Sequence, residues 1–369
     1  MAEFPVGIGV IGCGNISGVY LKNAELFPTI KVVGCADLIP DRAFSKAAEF
    51  GLPGARTIDD VLDDPQVEII INLATPRSHA GIAMAALHAG KSVYNEKPLA
   101  VERDGGRKLL ETADSKNLRI GCAPDTFLGA GYQTARKLLA EGAIGEPVAA
   151  TAFMVCHGHE SWHPDPGFYY QPGGGPLFDM GPYYLTALIH LLGPVKRLSG
   201  AARISIPERT ITSEPKKGQV IQVETPTHVT GILEFADGAV ATLITSFDIW
   251  HANLPLVELH GTEGSLSLPD PNGFGGPVRL RRAADEEWEE VPLTFQYAEN
   301  SRGLGVADLA HALRSGRPHR ANGELAYHVL DIMHALHESS ETGQHIELQS
   351  TCERPAPMVE GLAPGTLGD

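Results

Sequence analysis

The run Gly12-Cys13-Gly14-Asn15-Ile16-Ser17 follows an apolar stretch, Val6 to Ile11, and precedes a segment with helical spacing, so two glycines sit at a strand-to-helix turn. In that setting a backbone can cradle a pyrophosphate. Gly12 permits the tight turn, Gly14 lets the backbone approach the phosphates, and Asn15 and Ile16 border them at the helix N-terminus. Ser17 stands where a third small residue usually sits and still allows close packing. Roughly 20 to 25 residues beyond the glycines, the next apolar run ends in Cys35-Ala36-Asp37. A carboxylate there would accept the adenosine ribose hydroxyls, and it would repel a 2′-phosphate by on the order of 4 kcal/mol per unit charge at about 4 Å and an effective dielectric of about 20. The pattern favours NAD. Arg42 is placed to pair with a 2′-phosphate, and Asp37 can also be read as a turn cap, so NADP stays open.

A second concentration of reactive types is His157-Gly158-His159-Glu160-Ser161-Trp162-His163-Pro164-Asp165. Histidines offer donors and acceptors to hydroxyl groups, and an indole stacks on a flat or ring-shaped ligand face, so His157 and Trp162 are candidate substrate-binding residues. Three histidines also raise the question of zinc, but their spacing matches no common site. The five cysteines, Cys13, Cys35, Cys122, Cys156 and Cys352, are scattered without a C-x-x-C pair. Neither a metal site nor a disulfide framework is expected.

These residues need rigid elements to hold them. The first third alternates β-branched apolar runs with helical spacing, the signature of a parallel sheet with crossover helices. Val6 to Ile11, Lys31 to Ala36, Val67 to Leu73, Ser92 to Tyr94 and Leu118 to Cys122 are predicted strands; Ile16 to Leu26, Asp41 to Phe50, Ser78 to Ala89 and Glu102 to Ser115 are predicted helices. After Asp125 a helix from Leu128 to Glu141 leads into β-rich sequence with Gly, Pro and Asp turns. Ala236-Asp237-Gly238 and Gly261-Thr262-Glu263-Gly264 join predicted antiparallel hairpins. Helices from Gly181 to Leu192, Gly305 to Arg314 and Glu324 to Thr342 would cover one face of that sheet.

The fold class is therefore α/β, with an N-terminal Rossmann dinucleotide-binding domain over 1–125, a C-terminal α+β domain with an open, mainly antiparallel sheet over 126–350, and an extended tail over 351–369. With 369 residues, two domains are the expected division. A formal net charge of −16 would repel a phosphate backbone, which argues against a nucleic-acid partner. No apolar run approaches the roughly 18 to 20 residues that span a bilayer, and Met1-Ala2-Glu3-Phe4-Pro5 lacks the basic and apolar regions of a signal peptide. A cytoplasmic protein is expected, with no membrane partner.

Four features in order resemble the glucose–fructose oxidoreductase, inositol dehydrogenase and rhizopine-catabolism (Gfo/Idh/MocA) family. They are Gly12-x-Gly14; Asn72-Leu73-Ala74-Thr75-Pro76-Arg77-Ser78-His79; Glu96-Lys97-Pro98; and Gly173-Gly174-Gly175-Pro176-Leu177-Phe178-Asp179-Met180-Gly181-Pro182-Tyr183. The likeness reaches to about Leu348. It implies that Ala74, Thr75, Pro76 and His79 border the cofactor, that Glu96 supports it, and that Lys97 lies beside the nicotinamide and the substrate hydroxyl. Asp179 would reach the substrate. Where many members carry a catalytic histidine this chain has Tyr183, as some relatives do, which leaves the proton carrier open between Lys97 and Tyr183. The likeness also implies a homodimer or homotetramer formed through the open sheet face.

Oxidising a secondary alcohol requires a group that takes the hydroxyl proton while hydride leaves for the nicotinamide. Lys97, partly desolvated beside a positively charged ring, would have a lowered pKa suited to that task. An ion pair with Glu96 is the plainer role, but neighbouring strand residues point opposite ways. Asp179 as a helix-terminus carboxylate and Tyr183 as core packing are the plainer alternatives at those positions. The expected activity is an NAD(P)-dependent dehydrogenase of an unphosphorylated sugar, sugar derivative or cyclitol. Glycoside cleavage by transient oxidation and elimination, and a non-catalytic sugar sensor, are the competing readings; the retained Lys97 and Asp179 weigh against the sensor.

Overall fold

The computed structural model describes residues 4–368, which divide into two compact units. The first holds the chain up to Gln133, Thr294–Tyr327 and the segment from Pro355 on; the second holds Thr134–Leu293 and His328–Arg354. Sequence reading assigns everything after Asp125 to a second domain and a tail, whereas two later segments return to the first unit. Buried polar anchors secure that return. The Asp125 carboxylate accepts the N–H groups of Gly303 at 2.9 Å and Gly305 at 3.0 Å, and Arg314 pairs with Glu68 at 2.6 Å, while within the returning segment buried Asp308 pairs with Arg317 at 2.7 Å and Arg320 at 2.5 Å. The tail is free of helix and strand, but it is packed rather than loose: Met358 and Leu367 are buried, and Arg320 donates to the carbonyls of Ala356 and Pro357.

In the first unit the chain runs β1 (Val6–Ile11), α1 (Ser17–Asn23), β2 (Ile30–Ala36), α2 (Pro40–Glu49), β3 (Ala55–Arg56), α3 (Ile58–Asp63), β4 (Ile69–Asn72), α4 (Pro76–His88), β5 (Ser92–Asn95), α5 (Arg103–Ser115) and β6 (Ile120–Cys122). The six strands are parallel in the order β3-β2-β1-β4-β5-β6. This is the doubly wound order of dinucleotide-binding domains. Both β1 and β4 are buried along their whole length, as strands covered on two faces must be, which is why they read as continuous apolar runs. Val33, Val61, Ile70, Leu87, Leu109 and Ile120 form part of the core beneath the helices. Sequence reading misses β3 and α3. The strand is only two residues long, and α3 is held by a capping box in which Thr57 and Asp60 exchange hydrogen bonds at 3.0 and 3.1 Å.

The chain continues through α6 (Ala130–Ala140), β7 (Pro147–Val155), α7 (Gly175–Leu192), β8 (Val195–Arg203), β9 (Glu208–Thr210), β10 (Val220–Gln222), β11 (His228–Phe235), β12 (Val240–Ser246), β13 (Val257–Gly261), β14 (Gly264–Leu268), β15 (Val278–Arg282) and β16 (Glu289–Val291). Then come α8 (Leu304–Ser315), which lies in the first unit, α9 (Gly323–Thr342) and β17 (Ile346–Glu347). The second unit's nine-stranded sheet has the order β16-β15-β14-β13-β7-β12-β11-β8-β17 and is antiparallel except where β7 meets β12. The expected hairpins β11/β12 and β13/β14 are present. Along β12, Ala241, Leu243 and Thr245 are buried while Val240, Thr242 and Ile244 are not, so one sheet face is packed and the other open.

The helix predicted to start at Gly181 starts instead at Gly175, with Pro176 as its N-terminal proline and Pro182 inside it. Pro182 leaves the Phe178 carbonyl without its usual donor four residues on, a cost that burial of the helix offsets. All of α7 is buried except Asp179 and Met180. Among the described residues no helix is long and apolar enough to cross a membrane.

Burial pushes the pKa values of His319, His328 and His337 down to about 4. At His328 the reason is visible: Nε2 accepts the Val195 N–H at 3.0 Å, so Nδ1 carries the proton and faces the Ser350 hydroxyl at 2.8 Å. A second ring proton would displace the Val195 bond. With folded values below the ordinary value of about 6.5, the folded state binds fewer protons than the unfolded chain, so stability is full above that pH and is lost as pH falls towards 4. At pH 5 each such histidine should cost on the order of 2 kcal/mol. Denaturant midpoints measured from pH 7 to pH 4.5 should fall steeply, and His328→Gln should shallow the fall while lowering stability at pH 7. A midpoint indifferent to pH over that range would contradict neutral burial.

Candidate active site

In the first unit, the motif residues predicted for the cofactor lie at or just beyond the carboxyl ends of parallel strands, except His79, which is buried within α4. The Gly12 loop follows β1, Asp37 follows β2, Ala74 follows β4 and Lys97 follows β5. The sheet order reverses between β1 and β4, and the crevice at such a reversal is where open α/β sheets bind ligands. Gly12 has φ +104°, and a Cβ on it would lie 2.6 Å from the carbonyl carbon of Leu73. No other residue fits there. A Cβ on Gly14 would meet nothing within 4 Å, so that glycine leaves its face bare. Ser17 is buried, and its hydroxyl donates to the Gly14 carbonyl at 2.7 Å, bracing the loop. Asn15, Ile16 and Thr75 are exposed beside it.

Asp37 is half-buried, and each of its oxygens already accepts one N–H: Oδ2 from Cys13 at 2.7 Å and Oδ1 from Ile39 at 2.8 Å. It is therefore a turn cap and a brace for the glycine loop at once. Each oxygen keeps a further lone pair for a ribose hydroxyl. Arg42 is exposed on α2. The residues present thus fit a dinucleotide, with a bare-backbone cradle and a carboxylate held at the end of β2.

Behind the loops runs a buried polar chain. Asn72 Nδ2 donates to the His79 carbonyl at 3.1 Å and to Asn95 Oδ1 at 3.0 Å, and Asn95 Nδ2 donates to the Leu99 carbonyl at 3.0 Å. The His79 ring is fully buried between the carbonyls of Pro98 at 2.7 Å and Ala74 at 2.9 Å. Burial lowers its pKa, against the two carbonyls that favour the charged ring. Any service of His79 to a cofactor passes through the loops it ties, one of them the Lys97-Pro98 turn. The Glu96 carboxylate is buried, accepting the Tyr20 hydroxyl at 2.7 Å and the Lys97 backbone N–H at 2.9 Å. Lys97 is half-buried.

Within the second unit, the loop that follows β7 meets the exposed turn of α7. Gly158, at φ +77°, turns the chain so tightly that a Cβ would lie 2.2 Å from the Tyr170 hydroxyl. His159 is thereby carried inward. Its Nε2 lies 3.3 Å from Asp179 Oδ2, and its ring meets Tyr169, Phe247 and Trp162 at centroid distances of 4.1, 4.6 and 5.1 Å. Trp162 is 61% exposed, its face available. His157 stacks on exposed Trp250 at 3.3 Å, and His163 Nδ1 accepts the Asp165 N–H at 3.0 Å. The three histidines predicted to share one loop thus take three separate partners. Tyr183, one helical turn after Asp179, is buried.

Several supporting residues carry no sequence signal. Arg209, nearly buried on short β9, donates to Glu160 at 2.8 Å and to the Phe247 carbonyl at 3.0 Å and pairs with Asp248. The Tyr170 hydroxyl accepts the His159 N–H at 3.3 Å, and burial together with Glu160 pushes this phenol well above its ordinary pKa. His159 stood inside the predicted loop and was not singled out, because its carboxylate partner is twenty residues away in sequence.

Residues 6–123 match an oxidoreductase family with an NAD-binding Rossmann fold, and residues 132–267 match the GFO/IDH/MocA C-terminal domain. A levoglucosan dehydrogenase of Pseudarthrobacter phenanthrenivorans is 28% identical over 66% of this chain, a match that spans 65% of that relative. A 1,5-anhydro-D-fructose reductase of Ensifer adhaerens is 26% identical over 93% of this chain and 98% of its own. An NAD binding oxidoreductase from Klebsiella pneumoniae has a similar fold, with a TM-score of 0.80 and 22% identity over 93% of this chain and 98% of that one. With both family domains matched in order on the sheets that hold these motifs, the chain belongs to the Gfo/Idh/MocA family of NAD(P)-dependent oxidoreductases.

Proposed function

We propose that this protein is an NAD-dependent dehydrogenase acting on a secondary alcohol of an unphosphorylated sugar, sugar derivative or cyclitol. The observation that carries the cofactor choice is the Asp37 carboxylate, fixed by two backbone N–H groups at the end of β2, where a 2′-phosphate would meet like charge. NAD(H) bound there supplies the nicotinamide that accepts or returns a hydride. The substrate class is supported by the relatives named for levoglucosan and 1,5-anhydro-D-fructose, and by the aromatic and imidazole groups around Asp179. The cations that touch this segment, Arg209 and Lys216, are already paired with Glu160, Asp248 and Asp165. That arrangement suits a neutral polyol better than a phosphorylated one.

In this reading Lys97 takes the proton of the reacting hydroxyl, Asp179 accepts a hydrogen bond from the substrate, and Tyr183 is the second candidate to hold the proton. Trp162 and His157 line the substrate. A homodimer or homotetramer through the open face of the nine-stranded sheet completes the proposal; Ile232 and Val240 on that face are 50% and 40% exposed.

Screening sugars, glycosides and cyclitols with NAD⁺ and NADP⁺ for reduced-nicotinamide absorbance tests the activity. NADH should bind more tightly than NADPH, and Asp37→Ser should shift the preference towards NADPH; tighter NADPH binding by the unmodified protein would overturn the cofactor assignment. On a substrate so found, Lys97→Ala should lower kcat by about 10²- to 10⁴-fold with little change in NADH affinity. Tyr183→Phe removes only the hydroxyl, so a loss of comparable size would move the proton to Tyr183, and a small loss would leave it with Lys97. Near-full turnover by Lys97→Ala would sink the mechanism.

A further inference from the structure

We infer that His159 and Asp179 form a dyad in which the imidazole holds the substrate-facing carboxylate and its charge state governs that carboxylate's work. The inference rests on the proposed role of Asp179, and the geometry that supports it lies wholly within the second unit. An ionised carboxylate only accepts hydrogen bonds, so at 3.3 Å from Asp179 Oδ2 the His159 Nε2 must carry the proton and donate it. The other ring nitrogen, Nδ1, is buried and has no hydrogen-bond partner. A buried histidine with a purely structural role can have both nitrogens satisfied, as His328 does here. His157 and His337 also have a ring nitrogen without a hydrogen-bond partner, but His159 is the one of these three whose other nitrogen meets a carboxylate, in a site walled by Tyr169, Phe247 and Trp162.

The consequence is a two-state device. With the ring neutral, Nε2–H fixes the rotamer of Asp179, and the carboxylate keeps its full strength as an acceptor for a substrate hydroxyl. With Nδ1 also protonated, the pair becomes imidazolium and carboxylate, the hydrogen bond shortens and strengthens, and the carboxylate becomes a poorer acceptor for substrate. His159 is then a positioning residue that makes activity fall on the acid side. The groups around it are Asp179 on α7; Glu160 and His163 on its own loop; Tyr169 and Tyr170 from the turn before α7; Cys156 at the end of β7; and Arg209 with Asp248, whose charges largely cancel. Asp179 is the one of these carboxylates bonded to the ring.

Two readouts test this independently. The first needs no substrate: with histidine Cε1 labelled by ¹³C and the His159 resonance assigned by its loss in His159→Gln, NMR titration should show the His159 midpoint falling by about one pH unit or more in Asp179→Asn. An unchanged midpoint overturns the dyad. The second uses the substrate found by the screen. His159→Gln keeps an N–H donor near the Nε2 position without titrating, so it should keep kcat/KM within about threefold at pH 8 and flatten the acid limb of the profile. His159→Phe keeps the ring packing and removes the donor, so it should lower kcat/KM by tenfold or more at the same pH with an unchanged melting temperature. Wild-type kcat/KM and an unaltered acid limb in His159→Phe would overturn the proposal. Failure to find any substrate would count against the dehydrogenase reading alone, and the NMR titration would still decide the dyad.

Discussion

A strand buried on both faces cannot carry unpaired polar side chains along its length, so a parallel sheet puts its chemistry beyond the strand ends. In the first unit this constraint gathers the Gly12 loop, Asp37, Ala74 and Lys97 at the carboxyl edge of one sheet. The loops there still contain backbone groups that must be paired, and the side chains that pair them also set the shape of the site. Asp37 closes the glycine loop through Cys13, His79 joins the turns after β4 and β5, and Glu96 joins the Lys97 turn to α1 through Tyr20. Residues that look like ligand contacts in the motif are therefore in part the scaffold of the motif.

The second unit meets the same requirement by a different route. Its sheet is open on one face, and the loop after β7 is held from below by the Arg209 cluster, in which one buried guanidinium meets two carboxylates. Removing one partner of a buried ion pair strands the other at a cost of about 3 to 5 kcal/mol. Such a cluster tolerates little change, and it fixes the backbone at Glu160, whose carbonyl also accepts the N–H groups of Thr212 and Ser213. With Glu160 anchored and Gly158 turned, His159 has one direction left, towards the single polar turn of an otherwise buried helix.

The two units thus divide the work expected of a Gfo/Idh/MocA oxidoreductase. The first has a bare glycine turn and a carboxylate fixed at the end of β2, and the second has aromatic faces, imidazoles and a carboxylate gathered around one loop. Where many relatives carry a histidine one turn after the aspartate, this chain carries Tyr183 and brings an imidazole to the same aspartate from a different element.

Strand and helix periodicity, the glycine fingerprint and the ordered motifs were enough to read the parallel sheet, both hairpins, the cofactor class and the family, because each depends on residues close in sequence or on a fixed pattern. The start of α7 was misread because two prolines, Pro176 and Pro182, each qualify locally as a first helical residue, and burial of the whole helix selects between them. The pair β3 and α3 went unseen, since β3 is only two residues long and draws its stability from β2 beside it. The return of Thr294–Tyr327 to the first unit rests on Asp125 and Arg314 finding partners more than a hundred residues away, and the tail is held in turn by Arg320. So too with the site. The types of residue that could do the chemistry were legible in the sequence, but which imidazole meets Asp179, and which arginine holds that loop, were decided only by packing, because burial forces each polar group to find partners wherever the fold brings them.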